Sequence, residues 1–387
     1  MKKNYLLGMF AMAAFAFVGC SQDEMVNESP DVNKTIEFGT YVGRDAQGRG
    51  VVLNDENLSN FGVFASYTGQ TDWTVENGYN FMFNQKVQRD NINSSWTYNP
   101  IKYWPTTQGD KISFWAYAPY LSAPEKAISV TSLSTGSNTP EITYTLTPDN
   151  LGAAEDFTAA TLMNVTKGGG TSLDNSDRTV NFELLHELSR ISFWAQLDRD
   201  AYVDGPTSSN KTQVNITNIT FGGTCFASKG IYSFSKDGGR GSWLLKINEG
   251  TKTLDITNLI VRSEESLGGY VVKGARLKTD DAVELFGLNN YLFHIPSNGV
   301  VGTANEGDVT ITITYDIVTV DASLAEGHSV TRAVKSFALP KYALKQGQAY
   351  KYVLTFGLNE LKLSASVASW QQEDVSNNVD WTITDIK

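Results

Sequence analysis

Histidine is scarce in this chain. There are three in 387 residues, His186, His294 and His328, too few for a histidine-based metal centre. His186-Glu187 starts like the helix of a zinc hydrolase, but Arg190 stands where the second histidine ligand is required. Cysteine is scarcer still: Cys20 and Cys225. Charged residues make up only 19%. No Gly-x-x-x-x-Gly-Lys-Ser/Thr phosphate loop is present; Lys167-Gly168-Gly169-Gly170-Thr171 lacks its spacing. A Gly-x-Ser-x-Gly nucleophile elbow is absent too. Carboxylate pairs such as Glu155-Asp156 and Asp198-Arg199-Asp200 are expected by chance among 42 acidic residues. These absences leave no catalytic constellation, so neither enzymatic activity nor a metal or cofactor is expected.

Long apolar runs are also missing after residue 19, so no later segment can cross a membrane as a helix. The formal net charge is −11 and Lys/Arg form no stripe. That balance argues against nucleic acid as a partner.

What the chain does have is strand-forming material. Hydrophobic residues reach 41% and aromatics 11%, while runs of Ala, Glu, Lys and Leu are absent. Ile36, Phe38, Thr40 and Val42 alternate with Glu37, Gly39 and Tyr41, the period of a half-buried strand. Val51-Val52-Leu53 opens a second strand. Phe61–Tyr67, Ile112–Tyr120, Val180–Leu184, Arg190–Leu197, Val309–Tyr315, Ala349–Phe356 and Leu361–Trp370 read as further strands, separated by turn residues. Val379, Trp381 and Ile383 alternate near the C-terminus. More than a dozen short strands predict an all-β protein of two antiparallel sandwiches in tandem. The Gly/Ser/Asp-rich stretch from Lys167 to Asp177 reads as the linker between them.

The N-terminus carries Lys2 and Lys3, then an apolar run from Tyr5 to Gly19, which is the make-up of an export signal. Phe17-Val18-Gly19-Cys20 resembles a bacterial lipobox, with Phe17 where leucine is usual. Acylation of Cys20 would anchor the chain, since each buried CH₂ contributes about 0.8 kcal/mol. Removing residues 1–19 takes away Lys2 and Lys3, so −11 becomes −13. Ser21-Gln22-Asp23-Glu24 resembles the acidic signal of Bacteroidales lipoproteins exposed on the outer membrane. With Cys20 acylated, Cys225 has no partner for an intramolecular disulfide and reads as a small buried hydrophobe.

Several of these stretches, in this order, resemble the fimbrillin family, the Mfa-like and FimA-like pilus subunits of Bacteroidales. They are the lipobox with its acidic residues, Ile36-Glu37-Phe38-Gly39-Thr40-Tyr41-Val42-Gly43-Arg44, and Phe61-Gly62-Val63-Phe64-Ala65. They continue with Trp96–Pro105, Ile112–Tyr120, Leu185–Phe193, Tyr342–Tyr350 and Val367–Trp370. The resemblance implies two transthyretin-like β-sandwich domains. It partitions the chain into a signal peptide at 1–19, a lipidated tether at 20–34, an N-terminal sandwich at 35–170, and a C-terminal sandwich at 171–387 with a possible donor strand. It also implies cleavage by an arginine-specific surface protease after the first strand, with Arg44 and Arg49 as candidates. The strand bearing Ile36, Phe38, Thr40 and Val42 then leaves with the lipid, and a strand of another pilus subunit fills the groove. The donor candidates are Leu361–Trp370, with Leu361, Leu363 and Val367, and Asn378–Ile386, with Val379, Trp381 and Ile383. The expected location is the outer membrane first and the surface fimbrium afterwards; the receptor, host or bacterial, stays open.

A second reading is a surface glycan-binding lipoprotein, in which Trp73, Trp96 and Trp104 would stack on sugars. Such a protein would need an exposed aromatic platform and would keep its first strand.

Overall fold

The computed structural model describes residues 34–42, 52–121, 128–130, 139–146, 154–167, 179–198, 212–223, 226–247, 249, 253–286, 291–296, 309–339, 344–357, 360–369 and 381–384. In chain order the strands are β1 (Glu37–Val42), β2 (Asn60–Gly69), β3 (Met82–Gln88), β4 (Thr97–Tyr98), β5 (Lys111–Ala118), β6 (Ile128–Val130), β7 (Glu141–Thr145) and β8 (Thr158–Thr166). Next come β9 (Thr179–His186), β10 (Ser189–Leu197), β11 (Thr212–Gly222), β12 (Lys229–Ser233), β13 (Ser242–Leu245), β14 (Thr253–Asp255), β15 (Ser266–Leu267) and β16 (Tyr270–Val271). The last are β17 (Ala275–Arg276), β18 (Val283–Glu284), β19 (Leu292–His294), β20 (Thr310–Val320), β21 (His328–Ala338), β22 (Gln348–Phe356), β23 (Leu361–Ser369) and β24 (Trp381–Thr384). Among the described residues the single helical element is a 3₁₀ turn at Thr257–Leu259, so the expectation of an all-β chain holds.

A seven-stranded sheet runs β1-β9-β8-β5-β2-β3-β4. Its middle strand, β5, is covered on both faces, which is why it reads as a nearly unbroken apolar run. Ile112, Phe114 and Ala116 point into a smaller core, together with Phe61, Val63, Val180, Phe182 and Leu184. Trp115 and Tyr117 point the other way, into a larger core that continues through Phe193, Tyr352 and Leu363. The two ends of the sheet approach one another. Ile36 N–H donates to Lys102 O (2.9 Å) and Trp104 N–H to Lys34 O (2.9 Å), just beyond β4. The smaller core is therefore wrapped by one curled sheet.

The second large sheet runs β18-β10-β22-β23-β24, and β19 also pairs with β10. A third runs β14-β11-β20-β21, and a fourth β13-β12-β7-β6.

Three expectations need correction. Not every pairing is antiparallel: β1 lies parallel to β9, and β10 parallel to β22. Both pairs join strands far apart in sequence, so no tight turn imposes an antiparallel return. The boundary at 170/171 falls between β8 and β9, which are neighbours in one sheet; β9 belongs to the first sheet, and β7 of the first half pairs with β12 of the second. A Gly/Ser/Asp-rich stretch suits a long connection within a sheet as well as a linker between domains. Finally, Val52 and Leu53 are buried but form no strand. Side chains hold that segment: Asp156 Oδ2 accepts from Leu53 N–H (3.0 Å) and Asn57 Nδ2–H donates to Val52 O (2.6 Å).

Candidate functional site

The feature with most functional content is the seat of β1. Its burial alternates as the sequence does. Ile36, Phe38 and Val42 are buried, Thr40 is half-buried, and Glu37 and Tyr41 face solvent. Phe38 is the hub of the smaller core. Its ring centroid lies 5.8 Å from Phe182 in a stacked arrangement, 5.1 Å from Tyr98, 6.1 Å from Phe61 and 6.3 Å from Phe114.

The backbone of β1 pairs residue by residue with β9, from Glu37 opposite Thr179 to Val42 opposite Leu184. Among the described residues no other strand pairs with β1. At its start the strand is tied to the segment after β4 by the two bonds of the sheet closure, and Tyr98 Oη donates to Ile36 O (2.8 Å). At its end Val42 N–H donates to Asp55 Oδ1 (2.8 Å). Burial pushes the Asp55 carboxyl up, while the Val42 N–H and Arg89 pull it down.

Asp55 sits in a rigid turn. Asn54 Oδ1 accepts from Glu56 and Asn57 N–H (3.0 Å each), and Asn57 Oδ1 accepts from Asn54 N–H (2.9 Å). Arg89 donates to Asp55 O and to Leu58 O, and its guanidinium lies 4.5 Å from the Trp96 ring, which itself packs on Phe61. Contacts therefore run from the Asp55 turn back to the Phe38 seat. Asp55, Tyr98 and Arg89 were not singled out in the sequence. The one signal available was Asn54-Asp55-Glu56-Asn57, a run of turn formers.

A second polar knot lies at the turn between β9 and β10. His186 is fully buried, and its Nδ1 is 2.8 Å from Asp156 Oδ2. Glu187 is buried beside it; Gln346 Nε2–H donates to its carboxyl, and Arg240 approaches to 3.9 Å. Burial pushes the Glu187 carboxyl up to about 8 despite Arg240 and Gln346. Trp243 Nε1–H donates to Glu187 O (2.6 Å). This knot fastens the first sheet to the second. Among the described residues no group of His, Cys, Asp and Glu could hold a metal. His294 is buried against Phe221 and Phe226, and that burial lowers its pKa to about 4.

The three tryptophans of the glycan reading do not make a platform. Trp73 and Trp104 are buried, and Trp96 is half-buried between Arg89 and Phe61. Each fills space in or beside a core, the commoner fate of such a ring.

Of the donor candidates, β23 is an internal strand between β22 and β24, with Leu361 and Leu363 buried and Val367 half-buried. β24 is the outer strand of that sheet and contains Trp381 and Ile383. Cys20, Arg44, Arg49, Cys225 and Val379 lie outside the described residues.

Comparison with known proteins agrees with this architecture. The chain is 28% identical to the fimbrium subunit Fim1C of Phocaeicola vulgatus over 388 aligned positions, covering 95% of this chain and 97% of that protein. Among solved structures it resembles a fimbrial protein from Bacteroides vulgatus, with a TM-score of 0.70 and 24% identity, over 87% of this chain and all of that one. That likeness shows a shared fold. The sequence model of the fimbrillin-like family matches residues 52–370, most of the chain. On that match, the protein belongs to the fimbrillin-like family.

Proposed function

We propose that this protein is a structural subunit of a surface fimbria that serves adhesion and polymerises by strand exchange. In this reading Cys20 is acylated on export and the subunit reaches the outer membrane. An arginine-specific protease then cuts after Arg44 or Arg49. β1 departs with the lipid, and another subunit supplies its replacement. No catalytic step belongs to the chain itself.

One observation carries the reading: β1 gives its whole apolar face to a closed core, yet among the described residues only β9 pairs along its length. Removing it would strip the hydrogen-bond partners from β9 and empty the seats of Ile36, Phe38 and Val42. Each unpaired buried polar group costs about 1–3 kcal/mol, and each apolar side chain is worth about 1.5–3 kcal/mol. An incoming strand restores both by β-augmentation. The contact is head-to-tail, so it propagates into a filament.

The tail around β24 suits the donor role better than β23. Donating β23 would pull Leu361 and Leu363 out of the larger core, whereas β24 is an outer strand. Val379-Asp380-Trp381-Thr382-Ile383 alternates as β1 does and sets an aromatic residue two positions after an apolar one, as Phe38 follows Ile36. That run is symmetric about Trp381, so the indole meets the Phe38 seat whichever way the strand enters.

Limited digestion with an arginine-specific protease, followed by SDS gels without boiling, tests the proposal. A single cut between residues 43 and 51 and a heat-labile ladder of oligomers is the expected result. Resistance at both arginines, with the monomer unchanged, refutes it.

A further inference from the structure

We propose that cutting the 43–51 connection does not by itself release β1: the severed strand stays seated, clasped at its end by Asp55, until another strand displaces it. The holds on β1 do not pass through that connection. They are the pairing with β9, the closure bonds at Lys34 and Ile36, the Tyr98 hydroxyl on Ile36 O, and the buried faces of Ile36, Phe38 and Val42. Every one of them lies upstream of residue 43 or on the rest of the body.

Asp55 lies on the far side of the connection and reaches back across it to the last residue of the strand. Its turn is fixed by the Asn54–Asn57 exchange and by Arg89, neither of which involves residues 43–51. On the downstream side, Leu53 is held by Asp156, a residue satisfied independently by His186 and by Phe157 N–H. The two flanks are therefore pinned separately, and a cut changes neither. Asp55 acts as a positioning residue that keeps the processed subunit closed, with its groove covered, while it is still alone. The biological use of this clasp rests on the processing proposed above.

The test uses the full chain carrying Cys20→Ser, so that no acyl group holds the fragment, with a site-specific protease sequence inserted after Gln47. Cutting then does not depend on Arg44 or Arg49. After the cut, native gel filtration and intact mass report whether the fragment stays with the body. The expected result is co-elution. Asp55→Ala should shed the fragment about tenfold faster or more, the loss of one charge-assisted hydrogen bond. Asp55→Asn should restore retention, because its amide oxygen still accepts from Val42 N–H.

A fragment that leaves at once from the otherwise wild-type chain overturns retention. Equal retention in Asp55→Ala overturns the part given to Asp55. If Asp55→Ala does not fold, amide exchange at Val42 in the cut chain decides: slow exchange supports the clasp, and exchange as fast as in the free peptide overturns it. Retention is read without any ladder, so its failure leaves strand exchange standing, and an absent ladder leaves retention standing.

Discussion

Phe38→Ala should be the most damaging single truncation in the first strand. The ring is 6% exposed and meets four aromatic rings at centroid distances of 5.1 to 6.3 Å. Removing a buried phenylalanine to alanine costs about 3–5 kcal/mol, and the surrounding rings cannot collapse onto the gap without breaking the sheet closure. Tyr41 is the control. It lies three residues on in the same strand but is 40% exposed, so Tyr41→Ala should cost about 0.5 kcal/mol or less. Urea unfolding followed by tryptophan fluorescence reads both variants, as midpoint shifts at constant slope. On the severed strand the same change becomes a change in affinity: about 4 kcal/mol is roughly three decades in dissociation constant. A Phe38→Ala fragment should therefore fall off the body during gel filtration. Equal costs for the two truncations, in the intact chain or in the cut one, would refute the placement of β1 in the core and the strand-exchange reading with it.

Other perturbations test separate parts of the molecule. Tyr98→Phe removes the hydroxyl that bonds Ile36 O and should cost about 0.5–1.5 kcal/mol, seen as a lower urea midpoint. Glu187, held protonated up to about 8 by burial, ionises near 4.5 once unfolded. The folded state therefore binds the extra proton, and this group's contribution is complete below 4.5 and lost as pH rises to about 8, at up to about 1.4 kcal/mol per pH unit. Glu187→Gln should flatten the fall in melting temperature across that window. Asp316 is buried and takes two bonds from Arg332 and one from Tyr270, which hold its pKa down. Arg332→Ala should destabilise the β20–β21 hairpin, with faster amide exchange there and little change in the first sheet. Trp381→Ala should leave the cut subunit folded but shorten the oligomer ladder on unboiled gels.

Part of the smaller core is legible in the sequence because in β1 and β9 one face is buried and the other is not. Ile36, Phe38 and Val42 alternate with Glu37 and Tyr41, and Val180, Phe182 and Leu184 likewise alternate with Asn181 and Glu183. That period fixes which side chains meet a core, but not which strand lies beside which. The parallel pairing of β1 with β9 joins Glu37 to Thr179, 142 positions away, and nothing local encodes it. The Asp55 clasp was hidden for a related reason. A carboxylate that bonds a backbone N–H leaves no residue pattern at the acceptor's partner, and Val42 looks the same with or without it. His186 closes β9 and Glu187 begins the short link to β10, and the groups that surround Glu187, Trp243, Gln346 and Arg240, are all distant in sequence.

The proposed strand exchange requires one strand to be both firmly seated and replaceable. While the 43–51 connection is whole, β1 is presented to its groove at the high effective concentration of a short tether, typically millimolar. The cut removes that advantage and leaves every contact in place. Three buried apolar side chains contribute about 5–9 kcal/mol between them, a free energy that corresponds to a dissociation constant on the order of 10⁻⁴ to 10⁻⁷ M before the backbone bonds are counted. Such a fragment persists on an isolated subunit long enough to keep the groove closed. In the proposed exchange it would lose once a second strand of similar pattern is held beside the groove by a growing fibre, because the newcomer is tethered and the cut strand is not. Cleavage would then set the direction of exchange through the change in tethering, with no requirement that the donor bind more tightly, contact for contact, than β1 did. Restoring a tether tests this: a cut chain whose β1 is rejoined by a disulfide, through Val42→Cys and a cysteine placed opposite at Leu184, should form no ladder until reductant is added. Ladder formation before reduction would mean that the donor wins by its contacts alone, and the tethering argument would fall.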